Sequence, residues 1–259
     1  MSARITGILE SQHLSVVEAM SLRSRLLFAE SQIFGRMAKQ SLKTIGAVGL
    51  GLSDMEPLSS EVVQSLTWLR DRILQGPPRE IDTAARPTLH LFLDGACTPK
   101  DEQGTWSGTS IGGVLCDNDG NILRFFGEIT RCWSGGSREQ LVYEAEVLPY
   151  AVALHVWRSH LDGCCLFVYI DNEASRFSWI AGTADREIVQ RMIHHALCLE
   201  SDLGLYPYFN RVPSHSNLAD DPSRGKFDFL MSLGGVRDDV SQDVLLQLSQ
   251  CGGSVAEVP

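Results

Sequence analysis

The sequence predicts an α/β fold: a mixed five-stranded sheet, three antiparallel strands followed by parallel additions, flanked by helices and preceded by a helical N-terminal region. Three observations predict it. Short strand-like runs with a turn signal cluster between residues 88 and 129. An apolar run of the kind a buried strand requires stands at 164–171, and helical periodicity fills the intervals between and beyond. Length agrees, since 259 residues suit one or two domains. With 44% apolar and 21% charged residues the composition is globular, which excludes a disordered chain, a collagen or a pure coiled coil.

Along the chain, Ser15 followed by Glu18 resembles a capping box. Leu22, Leu26, Ala29, Ile33 and Met37 then recur at helical spacing, with a break expected near Gly35. Arg23, Arg25, Arg36, Lys39 and Lys43 make this stretch locally basic, as a solvated helix face or a nucleic-acid contact would be. Residues 46–53 are Gly-rich. Ser60 can cap a second helix with the stripe Val62, Leu66, Leu69 and Ile73, stopped by Gly76-Pro77-Pro78. This places a linker up to Pro87 and a domain boundary near residue 85, so that 1–85 is the helical region, 86–233 the α/β domain and 234–259 a C-terminal tail.

Strands follow at Thr88–Ala96, Thr109–Cys116 and Asn121–Ile129, the last two joined by the turn signal Asn118-Asp119-Gly120. Residues 138–158 read as a helix with Leu141, Ala145, Leu148, Val152 and His155 near one face. Cys164–Asp171 is the buried strand. Helices are expected at about 172–181 and 185–203, a strand at Tyr206–Val212 and a closing helix at Asn217–Leu233. Three antiparallel strands followed by helix-linked ones give the mixed sheet.

Charge and cysteines narrow the function classes. The net charge of −10 argues against broad nonspecific nucleic-acid binding. Residues 1–85 are balanced at 9 basic and 9 acidic, whereas 86–259 hold 13 basic and 23 acidic. Seven cysteines without a C-x-x-C pair suggest neither a disulfide framework nor a zinc ribbon. No apolar run approaches the roughly 18 residues of a membrane span, and no secretory signal opens the chain. A soluble intracellular protein, cytoplasmic or nuclear and without a membrane partner, is expected.

The acids carry the chemistry. Asp94 interrupts the first strand's apolar run and Asp171 ends the run Leu166–Ile170. Acids so placed are desolvated unless a cation or hydrogen bonds compensate them. The long helix between them supplies Glu144 and Glu146, and the segment before the closing helix supplies Asp220 and Asp221. Hard oxygen ligands of this type suit Mg²⁺ or Mn²⁺, and two such ions can assist phosphodiester cleavage.

In order and placement, these acids resemble ribonuclease H of the retroelement type. The closing segment carries most of the resemblance. Val212-Pro213-Ser214-His215 is similar to the family's V-P-x-H, and Asn217-Leu218-Ala219-Asp220-Asp221-Pro222-Ser223-Arg224 to its N-x-x-A-D-x-L-S-R ending, with Asn217 one residue nearer the acid than is common. Residues 88–230 are covered. Ser21–Glu30 and Phe34-Gly35-Arg36 also look like the helical segment that follows the polymerase core in some reverse transcriptases.

The resemblance implies a ribonuclease H-like sheet and hydrolysis of the RNA strand of RNA/DNA hybrids with two Mg²⁺ or Mn²⁺ ions. It implies Asp94, Glu146, Asp171 and Asp220 as metal ligands and His215 as an aid to proton transfer or product release. A polymerase domain is an implied partner. Motif register favours Glu146 over Glu144 and Asp220 over Asp221. Asp221, just before Pro222, then suits a helix N-cap.

Other readings are weaker. Tyr169-Ile170-Asp171-Asn172 resembles a polymerase Y-x-D-D, but Asn172 stands where the second acid is needed. Gly112-Gly113 lacks the Lys-Ser/Thr of a phosphate loop and suggests backbone packing at a bulge. His194-His195 lack an i,i+4 partner for zinc. An inactive scaffold of the same fold is the alternative in a different functional class.

Overall fold

A computed structural model describes residues 1–30, 35–51, 53–76, 85–97, 108–130 and 137–250. Ile33, Phe34, Pro77, Pro78, Cys132 and Cys251 lie outside the described residues. The chain divides into two compact units, Met1–Ala84 and Ala85–Pro259.

The first unit is helical, with α1 at Ser2–Ser11, α2 at Val16–Ala29, α3 at Lys39–Gly49 and α4 at Ser60–Gln75. The Ser15 hydroxyl accepts the Glu18 N–H at 3.1 Å and caps α2. Leu22 and Leu26 are buried with Ile5, Ile45, Leu66 and Leu69 in one core. α3 continues into the Gly-rich stretch as far as Gly49. A Cβ at Gly46 or Gly49 would stand 2.7 Å from the Arg23 side chain or 2.9 Å from that of Met20, so these glycines let α3 approach α2. The cap of α4 is Ser59 rather than Ser60.

The second unit holds a sheet ordered β5-β4-β1-β2-β3-β6. Its strands are β1 Thr88–Cys97, β2 Thr109–Asp117, β3 Ile122–Thr130, β4 Cys165–Ile170, β5 Tyr206–Arg211 and β6 Val236–Arg237. β1, β2 and β3 pair antiparallel. β4 pairs parallel to β1, and β5 parallel to β4. The β2–β3 turn follows from its sequence: Asp117 Oδ1 accepts the Asp119 and Asn121 N–H groups at 2.9 and 2.8 Å, and Gly120 takes φ +85°.

The helices of this unit are α5 Arg138–Val156, α6 Arg158–Leu161, α7 Glu173–Ala181, α8 Glu187–Asp202, α9 Asp220–Ser223, α10 Asp228–Ser232 and α11 Gln242–Gln250. α5 packs on β1 and β2 and is itself backed by α8. Leu91, Leu93, Val168, Ile170, Val147 and Ala151 are fully buried there.

Three sequence expectations fail in this unit. The sheet has six strands, not five, because β6 pairs parallel to β3. Residues 236–250 are therefore not a tail. Asp238 Oδ2 accepts from Arg124 Nε at 2.6 Å and from Trp157 Nε1 at 2.8 Å, and α11 packs on α5 and α8. The closing helix expected at Asn217–Leu233 is broken into α9 and α10, with Gly225 at φ +74° between them. Gly112-Gly113 does serve backbone packing, but the β2–β3 register shift lies at Leu115/Cys116.

Candidate metal centre

Asp94 sits near the end of β1 and Asp171 one residue past β4. Leu93 is in register with Ile170, so the two acids follow side by side on neighbouring strands. Glu146 comes from α5, whose approach depends on Gly95. A Cβ there would stand 2.2 Å from the Ala145 carbonyl oxygen. Pro149, inside α5, has no N–H to offer that carbonyl, and the helix thus meets β1 backbone to backbone next to Glu146.

One carboxylate oxygen each from Asp94, Glu146 and Asp171 lie within 4.8 Å of one another. Asp94 and Glu146 are buried, at 6% and 8% exposure. Burial, with the nearby charges of Asp171 and Asp220, pushes Asp94 up to about 6 against the pull of the Ser223 hydrogen bond. Burial, then the charges of Asp94 and Asp171, pushes Glu146 up to about 9 despite hydrogen bonds with the Gly95 backbone and the Asn172 side chain. Glu146 Oε2 and Asp171 Oδ1 are buried without any hydrogen-bond partner. Such orphaned acceptors are costly unless a cation or donor meets them. Three hard oxygen donors, two buried orphan atoms and mutual repulsion fit a divalent cation of the Mg²⁺ or Mn²⁺ type.

The other candidate acids separate by their partners. Glu144 pairs with Arg186 at 2.5 Å and is structural. Asp220 lies outside the close trio, with its Oδ1 held by Arg224 at 2.6 Å, yet is near enough to act on Asp94. Asp221 is not an N-cap: α9 begins at Asp220 with Ala219 as its cap residue. It pairs with Lys226 at 3.9 Å, on the surface. His215 is exposed on the 3-10 turn Ser214–Ser216.

Several residues that build the site are not assigned to it by the sequence, although Ser223 lies within the closing motif. Ser223 donates its hydroxyl to Asp94 Oδ2. Ser175 donates to the Glu146 carbonyl at 3.0 Å, and the Asn172 side chain caps α7 by accepting the Ser175 N–H at 3.0 Å. Gly112 and Gly127 leave room for α9, since a Cβ would stand 2.6 Å from the Ala219 carbonyl oxygen or 2.1 Å from that of Pro222.

The chain matches no protein-family model and no curated relative. Among solved structures it is similar to ribonuclease H1 from Halobacterium salinarum, with 19% identity over 55% of this chain and 98% of that one and a TM-score of 0.40. LC11-RNase H1 in complex with an RNA/DNA hybrid gives 15% identity, 55% and 99% coverage and a TM-score of 0.42. The foamy viral protease-reverse transcriptase in complex with RNA/DNA hybrid gives 13% identity over 68% of this chain and 27% of that one, with a TM-score of 0.39.

Proposed function

We propose that this protein is a metal-dependent endonuclease that hydrolyses the RNA strand of RNA/DNA hybrids. The observation that carries the reading is the trio Asp94, Glu146 and Asp171, gathered within 4.8 Å with two buried oxygens left without partners. Asp94, Glu146 and Asp171 would hold Mg²⁺ or Mn²⁺, and Asp220 would complete the ligand set. A pair of divalent ions would supply Lewis-acid stabilisation of charge at a phosphodiester and a reactive water.

The remaining roles belong to the chain. Glu146, close to both strand-end acids, would complete the site near the 2′-hydroxyl that distinguishes RNA from DNA. Asp220, whose carboxylate pairs with Arg224, would exchange that partner for a cation, and the guanidinium would then be available to a phosphate oxygen. His215, exposed on its turn, would move a proton at an imidazole nitrogen toward the departing 3′ oxygen. A negative protein surface is compatible with a polyanionic substrate because cations in the carboxylate cluster reverse the local sign.

Residues 1–85 we read as a helical region of the kind that follows a polymerase core, with a reverse transcriptase polymerase domain as partner and a cytoplasmic or nuclear location. Its support is the basic stretch from Arg23 to Lys43 and a core of its own. No helix among the described residues is long and apolar enough to cross a membrane.

Strand-labelled RNA/DNA hybrid, duplex DNA, duplex RNA and single-stranded RNA, each offered with Mg²⁺ or Mn²⁺, test the substrate class. Cleavage confined to the RNA label of the hybrid is expected. Equal cleavage of single-stranded RNA would contradict the reading.

A further inference from the structure

Asn217 and Ser223 are buried polar residues to which neither the cleavage chemistry nor the metal assigns a task, with exposures of 6% and 2%. Asn217 Nδ2 donates to the Leu93 carbonyl at 2.9 Å, and its Oδ1 accepts the Ala219 N–H at 3.2 Å. Ser223 donates its hydroxyl to the Asp94 carboxylate. The closing segment therefore grips β1 at two successive residues, the backbone of Leu93 and the side chain of Asp94. Beneath it Gly112, in register with Asp94, and Gly127, in register with Gly112, leave the sheet bare.

The grip matters because Asp94 is surrounded by like charge. Asp171 and Asp220 both act against its ionised form, and a free aspartate would rotate its carboxylate away from them. Holding one oxygen on a fixed hydroxyl sets the plane of the group. The same segment, Asn217 to Ser223, that holds Asp94 also carries Asp220, so the acids of β1 and α9 are placed by one device.

We propose that Asn217 and Ser223 are positioning residues that hold Asp94 in a cation-binding orientation, Asn217 by fixing the segment's register on β1 and Ser223 by pinning the carboxylate. This rests on the reading of the carboxylate trio as a divalent-cation centre. Residues that orient a ligand from behind typically change metal affinity by about 10–100-fold when removed.

Calorimetric titration of the full chain with Mn²⁺ alone, together with thermal unfolding in chelator, tests the proposal on wild type, Ser223→Ala, Asn217→Asp and Asp171→Asn. Ser223→Ala is expected to weaken Mn²⁺ binding by about 10–100-fold while its unfolding midpoint in chelator stays near that of the wild type. Asn217→Asp keeps the acceptor for Ala219 and loses the donor to Leu93. It is expected to weaken binding in the same direction and carries the test if Ser223→Ala fails to fold. Unchanged affinity in either folded variant overturns the proposal and leaves the centre standing, as does a loss of affinity matched by a collapse in midpoint. Wild-type protein that binds no Mn²⁺, or binds it equally well as Asp171→Asn, overturns the centre itself and the positioning role with it.

Discussion

Gly112 of β2 lies directly opposite Gly127 of β3, and this pair of bare residues is the floor on which α9 rests. A methyl group at Gly127 would overlap the Pro222 carbonyl at 2.1 Å, against backbone that has no rotamer to yield. Gly127→Ala should therefore destabilise the protein by about 1–3 kcal/mol, the usual cost of overpacking. Because α9 carries Ser223 and Asp220, hybrid cleavage should fall with it. Urea unfolding and a cleavage assay on the same sample check both. A stable, fully active Gly127→Ala would show that α9 need not sit on the sheet.

The two neighbouring acids of α9 should behave differently. Asp220 acts on Asp94 across the site, whereas Asp221 is a surface residue whose pair with Lys226 spans 3.9 Å. Asp220→Asn should lower metal-dependent cleavage strongly with little loss of stability, since it removes like charge from the cluster. Asp221→Ala should shift stability by no more than about 1 kcal/mol, as expected of an exposed ion pair, and leave cleavage intact. Parallel melts and initial rates for the two variants decide. A reversed pattern would move the fourth ligand by one residue.

Stability in chelator should depend on pH with a definite sign. Asp94 at about 6 and Glu146 at about 9 lie above their ordinary values, so the folded protein holds these protons more tightly than the unfolded chain does. Their stabilisation is full below about pH 4, the unfolded carboxyl range, and is lost as pH rises through 6 and on toward 9. Glu146→Gln should raise the melting temperature in chelator at pH 8, by a free energy on the order of a few kcal/mol. Mn²⁺ should stabilise the wild type more at pH 8 than at pH 5. Melting curves of the wild type and Glu146→Gln at these two pH values, with and without the ion, test it; a Glu146→Gln gain in chelator that is no larger at pH 8 than at pH 5 would contradict the sign.

Asp238 gives the opposite sign. Burial pushes its carboxyl up, but the bonds from Arg124 and Trp157 outweigh that and hold it below the ordinary value. Its contribution is present above the unfolded value near 4 and is lost as pH falls below it. Asp238→Asn should cost about 1–3 kcal/mol at pH 7, a range typical of hydrogen bonds to a charged group, and should flatten the acid limb of the stability curve. Cleavage should be unaffected, since Asp238 joins β6 to β3 away from the carboxylate trio. Denaturant unfolding at pH 7 and pH 3 measures the difference.

The strand-end acids were legible in the sequence because an acid that interrupts or ends an apolar run has few structural reasons to be there. Asp94 and Asp171 meet as that pattern implies. Pattern alone does not separate Glu144 from Glu146, since both are buried on α5; the difference is Arg186, which binds Glu144 from the start of α8. The break between α9 and α10 falls at Gly225, whose φ of +74° ends α9; the seating of α9 depends on Asn217 meeting Leu93, 124 residues away in sequence, which no local periodicity encodes. β6 is two residues long, too short for alternation to register, and is secured by an Arg124–Asp238 pair 114 residues apart. Gly112 and Gly127 have meaning only once their strands are paired and α9 lies over them.

The central claim is that Asp94, Glu146 and Asp171 form a divalent-cation centre that cuts RNA paired to DNA. Single-turnover cleavage of an RNA-labelled hybrid by wild type and Asp94→Asn, in Mn²⁺ and in excess chelator, tests it most directly. Wild-type cleavage that disappears in chelator, and falls at least about a hundredfold in Asp94→Asn, is the expected result, since several kcal/mol of charge stabilisation is removed. Cleavage that persists in chelator, or survives Asp94→Asn undiminished, would contradict the account.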